Sequence, residues 1–219
     1  MSSPRVESNQ DGVHPDLEWT VRRHLEHTHR RPFAEHTVHA FAQVQEWLSR
    51  HPGPLVLDSG CGVGESSRRL AMRLPDHSVI GIDKSELRLE KGAKDERLAA
   101  PENLLLVRAD LVDFWELAKA AGWTLARHYV LYPNPWPKSS HLFRRWHGHP
   151  VFPAILALGG VLELRTNWKV YAEEFSLAIG IATGRAPAVE PLASLDDLTP
   201  FERKYRASGH DLWTLQIAL

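Results

Sequence analysis

The segment Asp58-Ser-Gly60-Cys-Gly62-Val-Gly64 sets three alternate glycines behind an acid. Glycine has no Cβ, so such a run lets the backbone turn sharply and approach a bound molecule closely. Two further acids, Asp83 in GIDKS and Asp110 in VRADL, each end a short apolar run. A carboxylate there can accept both hydroxyls of a ribose, or it can cap the helix that follows. For one acid alone the cap is the better reading. Acids at the ends of three successive apolar runs, one of them beside the glycines, point instead to a cofactor crevice. A dinucleotide does not fit the spacing: counted from Gly60, the third glycine of G-x-G-x-x-G would fall on Glu65. That glutamate, at a helix start, would also oppose a pyrophosphate.

The loop instead resembles the [DE]-x-G-x-G-x-G loop of methyltransferases, whose cofactor, S-adenosyl-L-methionine, carries no phosphate. The resemblance implies that Gly60, Gly62 and Gly64 shape the cofactor loop and that Asp58 meets the cationic amino-acid end. It puts the ribose at Asp83 and the adenine near Asp110.

A second stretch, LYPNPWPKSSHLFRRWHG at 131–148, is built for positioning. Prolines 133, 135 and 137 restrict the backbone and would hold Asn134 and Trp136 in a fixed pose. Transfer of a methyl group from a sulfonium is an in-line displacement of an already activated carbon, so alignment can supply much of the rate. Lys138, Arg144 and Arg145 follow, interleaved with His141, His147 and His149, and no Asp or Glu occurs from Leu117 through Leu162. An acid-free basic surface beside the site would suit phosphate, and Trp136 and Trp146 could stack on bases.

These residues need a scaffold. Short apolar runs at 54–60, 78–83, 103–110, 128–133 and 160–166 alternate with amphipathic stretches over about 65–74, 86–98, 112–121 and 168–182. Such alternation predicts a mostly parallel sheet with helices on both faces. FERKYRASGHDLWTLQIA reads as two β-like runs about SGHD, an antiparallel hairpin completing the sheet. By analogy of fold this is the Rossmann-like, seven-stranded class I methyltransferase architecture. Residues 16–50 read as a helical extension, with Val38, Phe41, Val44 and Leu48 on a core face. Residues 1–15 read as a disordered tail, and 16–219 as one methyltransferase domain.

The bulk properties narrow the partners. A net charge of −1 over 219 residues gives no global pull toward nucleic acid, so any such contact must be local. The single cysteine, Cys61, excludes an internal disulfide. No run approaches membrane-spanning length, and the first 16 residues are too polar for a signal peptide, so the cytoplasm is the expected location. The clusters HLFRRWHGH and RRHLEHTHRR lack a recognised zinc spacing, and no metal site is expected. The oligomeric state is open.

LYPNPWPK with its following His and Arg-Arg resembles the F-P-D-P-W-P-K-x-x-H-x-x-R-R hallmark of the bacterial tRNA (guanine-N7-)-methyltransferases. LRTNWKVYAEEF at 164–175 is similar to that family's T-D-x-x-x-Y, and TPFERKY at 199–205 to its T-x-x-E-x-[KR]-[FY]. The resemblance covers about residues 54–217. It implies transfer of a methyl group to N7 of a guanine in the variable loop of tRNA. Asn134 falls on an aspartate with a cofactor-binding and catalytic role. Lys138, His141, Arg144, Asn167, Thr199 and Glu202 fall on substrate contacts. Two positions depart, since the family has Asp where this chain has Asn134 and Asn167. Three alternatives stay open. Asn134-Pro135-Trp136 is a poorer match to the [DN]-P-P-[FYW] loop of amino-group methyltransferases; a small-molecule acceptor is a second; the two asparagines also suit an RNA-binding relative with weakened chemistry.

Overall fold

The computed structural model describes residues 3–27, 29, 31–98, 101–193 and 196–219. Strands β1 (Leu55–Ser59), β2 (Ser78–Asp83), β3 (Leu104–Arg108), β4 (Arg127–Leu131), β5 (Val161–Thr166), β6 (Glu190–Pro191) and β7 (Trp213–Ala218) form one sheet in the order β3-β2-β1-β4-β5-β7-β6. The pairs β1–β2, β2–β3 and β1–β4 are parallel, while β6–β7 is antiparallel. All six residues of β2 are buried, as a parallel strand covered on both faces requires. The register sets Asp58 of β1 beside Gly81 of β2, and Asp83 beside Arg108 of β3. The carboxyl ends of these strands therefore share one edge of the sheet.

The chain divides into two compact units. One comprises Pro32–Leu131 with Leu158–Leu162 and the last two residues; the other comprises Tyr132–Ala157, Glu163–Ile217 and the N-terminal segment through Arg31. In the first, helix α2 (Glu35–Arg50) packs on α5 (Leu111–Ala120) and β3. Its buried face is Thr37, Ala40, Phe41 and Val44, whereas Val38 is exposed. Phe41 meets Phe114 edge-on at 5.2 Å and Trp123 at 5.1 Å, and burying such a ring is worth about 1.5–3 kcal/mol. Helices α3 (Glu65–Arg73) and α4 (Glu86–Ala93) follow β1 and β2.

In the second unit, α1 (Leu17–Glu26) packs on α7 (Lys169–Thr183) and on α6 (Phe152–Ala157). The 16–50 region is thus two helices with different partners. Residues 3–14 form no helix or strand, yet Ser3 N donates to Ser208 Oγ, Ser8 Oγ to the Pro137 carbonyl and Gln10 Nε2 to Glu174.

The C-terminal expectation needs one correction. The antiparallel partner of β7 is Glu190–Pro191, and FERKYRA is not a strand but helix α8 (Pro200–Ala207). Thr199 Oγ1 accepts from Glu202 N and Pro200 opens the helix, a capping arrangement that starts a helix whatever the β propensity of the residues behind it.

Candidate active site

The glycine loop is where β1 turns into α3. Gly60, Gly62 and Gly64 all have positive φ, at 86°, 62° and 77°, which L side chains rarely adopt. The Gly60 and Cys61 amides both donate to the Ile82 carbonyl at 2.8 Å, pinning the loop to β2. Gly92 of α4 approaches so closely that an added Cβ would stand 1.8 Å from the Val63 carbonyl oxygen. The loop is thus clamped from the strand side and from α4, while a Cβ added at Gly62 would meet no atom of the described residues within 4 Å.

Each of the three acids has a distinct setting. Asp58 is fully buried; Ser66 and Ser67 donate to its Oδ2 at 2.6 Å each, and its Oδ1 has no partner among the described residues. Burial raises its pKa to about 6 against the two serine hydrogen bonds, and Asp83 adds to the rise. Asp83 accepts Gly62 N on Oδ2 at 3.0 Å and Ser85 N on Oδ1 at 2.8 Å, with Arg88 at 3.6 Å. It therefore shapes the loop, while the cap of α4 is Ser85. Asp110 does cap its helix, its Oδ1 accepting from Val112 N and Asp113 N. Its own amide donates to Thr37 Oγ1 of α2, which ties that helix to this end of β3.

This arrangement fits S-adenosylmethionine. A buried carboxylate with an unpartnered oxygen is matched by an ammonium group, and the open space at Gly60 and Gly62 leaves room for an amino-acid moiety. Glu65, nearly buried at the start of α3 and bonded to Arg69, already puts a negative charge where a pyrophosphate would bind.

The second set of residues follows β4. Tyr132 (φ 51°) and Trp136 (φ 45°) are the non-glycine residues with positive φ among those described. They bracket Asn134, which is exposed and accepts a hydrogen bond from Trp136 N on its Oδ1 at 3.3 Å. Non-glycine residues hold such angles at a cost of about 1–3 kcal/mol each, so the surroundings must impose them. Tyr132 N donates to the Arg165 carbonyl of β5 at 2.8 Å, and its ring packs on Phe201 and Tyr205 of α8. Arg144 lies over the Trp136 ring at 4.7 Å, and His141 meets the same ring edge-on at 5.5 Å. Partial burial and then the nearby Arg144 and Lys138 hold the His141 pKa below its usual value. Lys138 is exposed.

Asn167 follows β5 and contacts His210 Nδ1 through its Nδ2 at 3.2 Å. It lines a hollow of about 270 Å³ with Arg5, Trp168, Lys169, His210 and Trp213. Thr199 and Glu202 lie differently from a substrate contact. Glu202 is fully buried, accepting from Arg165 on Oε1 at 3.2 Å and from Leu198 N on Oε2 at 2.6 Å, and buried Thr199 caps α8. The T-x-x-E spacing is the signature of a helix start, a signal already legible in the sequence.

The basic run is also thinner than its composition suggests, because Arg145 and His147 are fully buried and only Lys138 and Arg144 face outward. Sequence reasoning missed Ser66 and Ser67 behind Asp58, Gly92 behind the loop and Glu174 opposite Arg145. Among the described residues no His, Cys, Asp and Glu cluster could hold a metal ion, and no helix is long and apolar enough to cross a membrane.

The chain is similar to known methyltransferases. The family model described as "Putative methyltransferase" matches residues 52–215. A tRNA (guanine-N(7)-)-methyltransferase of Pseudoalteromonas atlantica is 30% identical over 74% of this chain and 71% of its own length. One from Leifsonia xyli is 28% identical over 74% of this chain and 75% of its own. Among solved structures, the 16S rRNA methyltransferase KamB superposes with a TM-score of 0.56, covering 86% of this chain and 95% of its own at 19% identity. That last likeness concerns the fold.

Proposed function

Since the chain belongs to the family of tRNA (guanine-N(7)-)-methyltransferases, we propose that it transfers a methyl group from S-adenosylmethionine to N7 of a guanine in tRNA. The observation that carries this reading is the Asn134–Lys138 element. It presents an exposed amide between two forced left-handed residues, next to an Arg144-covered indole and an exposed lysine.

S-adenosylmethionine supplies a methyl carbon activated on a positive sulfur. Asp58 is the counter-ion for its ammonium group, and Asp83 and Asp110 receive the ribose and the adenine. Guanine N7 has a free lone pair and no proton, so the new N–C bond forms as the C–S bond breaks without a general base. The positive charge passes from the sulfur to the guanine ring. Asn134 accepts a hydrogen bond from the substrate or the cofactor and donates another, holding the acceptor in line. It brings no negative charge toward the ring, so a slower transfer is expected than with an aspartate there. Lys138 and Arg144 meet phosphates, and Asn167 contacts the substrate from its hollow. Thr199 and Glu202 serve this site from beneath the surface by holding α8 against Tyr132. The enzyme works in the cytoplasm with its tRNA.

The test is methyl transfer from labelled S-adenosylmethionine into tRNA from cells lacking 7-methylguanosine, followed by nucleoside analysis. Label in 7-methylguanosine is expected, and Asn134→Asp should raise the rate about tenfold. Label in another nucleoside would move the specificity. No label, with cofactor binding measured separately, would overturn the reading. Label only after Asn134→Asp and Asn167→Asp would mark a relative with weakened chemistry.

A further inference from the structure

Arg145 follows the exposed Arg144, yet none of its side chain reaches solvent. Its Nη1 donates to Glu174 Oε2 at 2.6 Å, a fully buried ion pair. Its remaining donors go elsewhere. Nε donates to the Trp136 carbonyl at 3.2 Å, and Nη2 to the Lys138 carbonyl and to Gln10 Oε1, both at 3.1 Å. Its Cζ lies over the Trp168 ring, 4.9 Å from the ring centre.

A buried ion pair alone could be replaced by apolar packing with little loss. Arg145 has a more specific geometry. Its fork holds the backbone on both sides of Pro137, two and four residues beyond Asn134, and one of these carbonyls belongs to Trp136, whose φ of 45° needs an external restraint. Its Cζ lies over the ring of Trp168, the neighbour of Asn167. One side chain thus touches both segments that carry the asparagines.

Glu174 is itself locked. Burial would raise its pKa, but the hydrogen bond from His147 and the Arg145 charge outweigh it and hold the carboxyl at about 2. His147 Nε2 lies 2.8 Å from Glu174 Oε2, and because a carboxylate oxygen only accepts, Nε2 is the donor; burial keeps the His147 pKa below the usual value. Gln10 Nε2 and His14 N satisfy the other carboxylate oxygen. The anchor of Arg145 is a carboxylate charged at every working pH.

Taking the Asn134–Lys138 element as the substrate loop of the proposed reaction, we propose that Arg145, anchored on Glu174, is a positioning residue that sets the pose of this loop and couples it to the Asn167 segment. Arg145 touches neither methyl donor nor guanine, and its contribution is alignment. Lysine cannot substitute, because a point charge keeps the ion pair but cannot reach two carbonyls and a ring face together.

The test compares wild type with Arg145→Lys and with the charge-free pair Arg145→Met plus Glu174→Gln, which keeps the variant testable should lysine fail to fold. Amide hydrogen exchange is read at Trp136, Ser139 and His141, whose N–H groups are bonded in the structure. Turnover is read as kcat and KM for tRNA. The expected result is exchange at least tenfold faster in this loop but unchanged in β4, and kcat at least tenfold lower with KM for tRNA within threefold. Loop exchange and kcat both within twofold of wild type in a folded variant would overturn the proposal and leave Arg145 a core ion pair. If wild type transfers no methyl to tRNA, the proposed function fails, and loop exchange alone still decides whether Arg145 sets the pose.

Discussion

Replacing Asp58 by Asn isolates the buried carboxylate on which the cofactor reading depends. The Asp58 pKa stands at about 6 because burial penalises the charged form more than Ser66 and Ser67 can stabilise it. In the unfolded chain an aspartate titrates near about 4. Between those values the folded protein still holds the proton and the unfolded chain has lost it. Stability therefore falls as pH rises through the window, by about 1.4 kcal/mol per pH unit and about 3 kcal/mol in all. Asparagine does not titrate, and its Oδ1 can accept from both serines. Its amide would sit where Asp58 Oδ1 has no partner, adding a constant cost of about 1–3 kcal/mol. The slope of the difference, not its absolute level, is thus the readout. Urea unfolding followed by tryptophan fluorescence from pH 4 to 7.5 should show wild type losing about 3 kcal/mol relative to the variant. S-adenosylmethionine should bind wild type about tenfold more weakly per unit below pH 6, as its ammonium loses a charged partner, while the variant binds weakly at every pH. A flat stability difference across the range would refute the argument that burial has raised this group.

Gly92→Ala drives a Cβ to 1.8 Å from the Val63 carbonyl oxygen, so α4 must shift; a loss of about 1–3 kcal/mol and weaker cofactor binding are expected in denaturation and titration calorimetry. Glu202→Ala leaves Arg165 with Glu163 alone and strips Leu198 N of its acceptor. It should cost about 3–5 kcal/mol in thermal unfolding, with KM for tRNA of the folded fraction unchanged. Lys138→Ala and Arg144→Ala should each weaken tRNA binding and lower the slope of log affinity against log salt by about 1, measured by filter binding from 50 to 200 mM salt.

What was readable in the chain was what repeats or is local. Apolar runs at strand spacing gave the parallel sheet, and the glycines at 60, 62 and 64 gave the loop, because positive φ is a property of single residues. The Asp-to-Asn departures and the resemblance of the Pro-Asn-Pro-Trp-Pro-Lys element were legible for the same reason. The hairpin was half right: β7 was there, but its partner was not the FERKYRA run, since the Thr199–Pro200–Glu202 cap starts a helix. The cap spelling was present, and only its reading as substrate contact hid it.

The roles of like residues were decided by the fold. Arg144 and Arg145 are neighbours in sequence with nothing to tell them apart, yet one lies over an exposed-side indole and the other is sealed against Glu174, 29 residues away along the chain. Asp58, Asp83 and Asp110 all lie at or just beyond the carboxyl ends of strands, and burial and hydrogen-bond partners separate them into a carboxylate shifted to about 6, a loop clamp and a helix cap. Spacing sets which residues can adopt a turn or start a helix. Desolvation and the partner across the fold depend on contacts between distant segments, and these set a group's charge and its task.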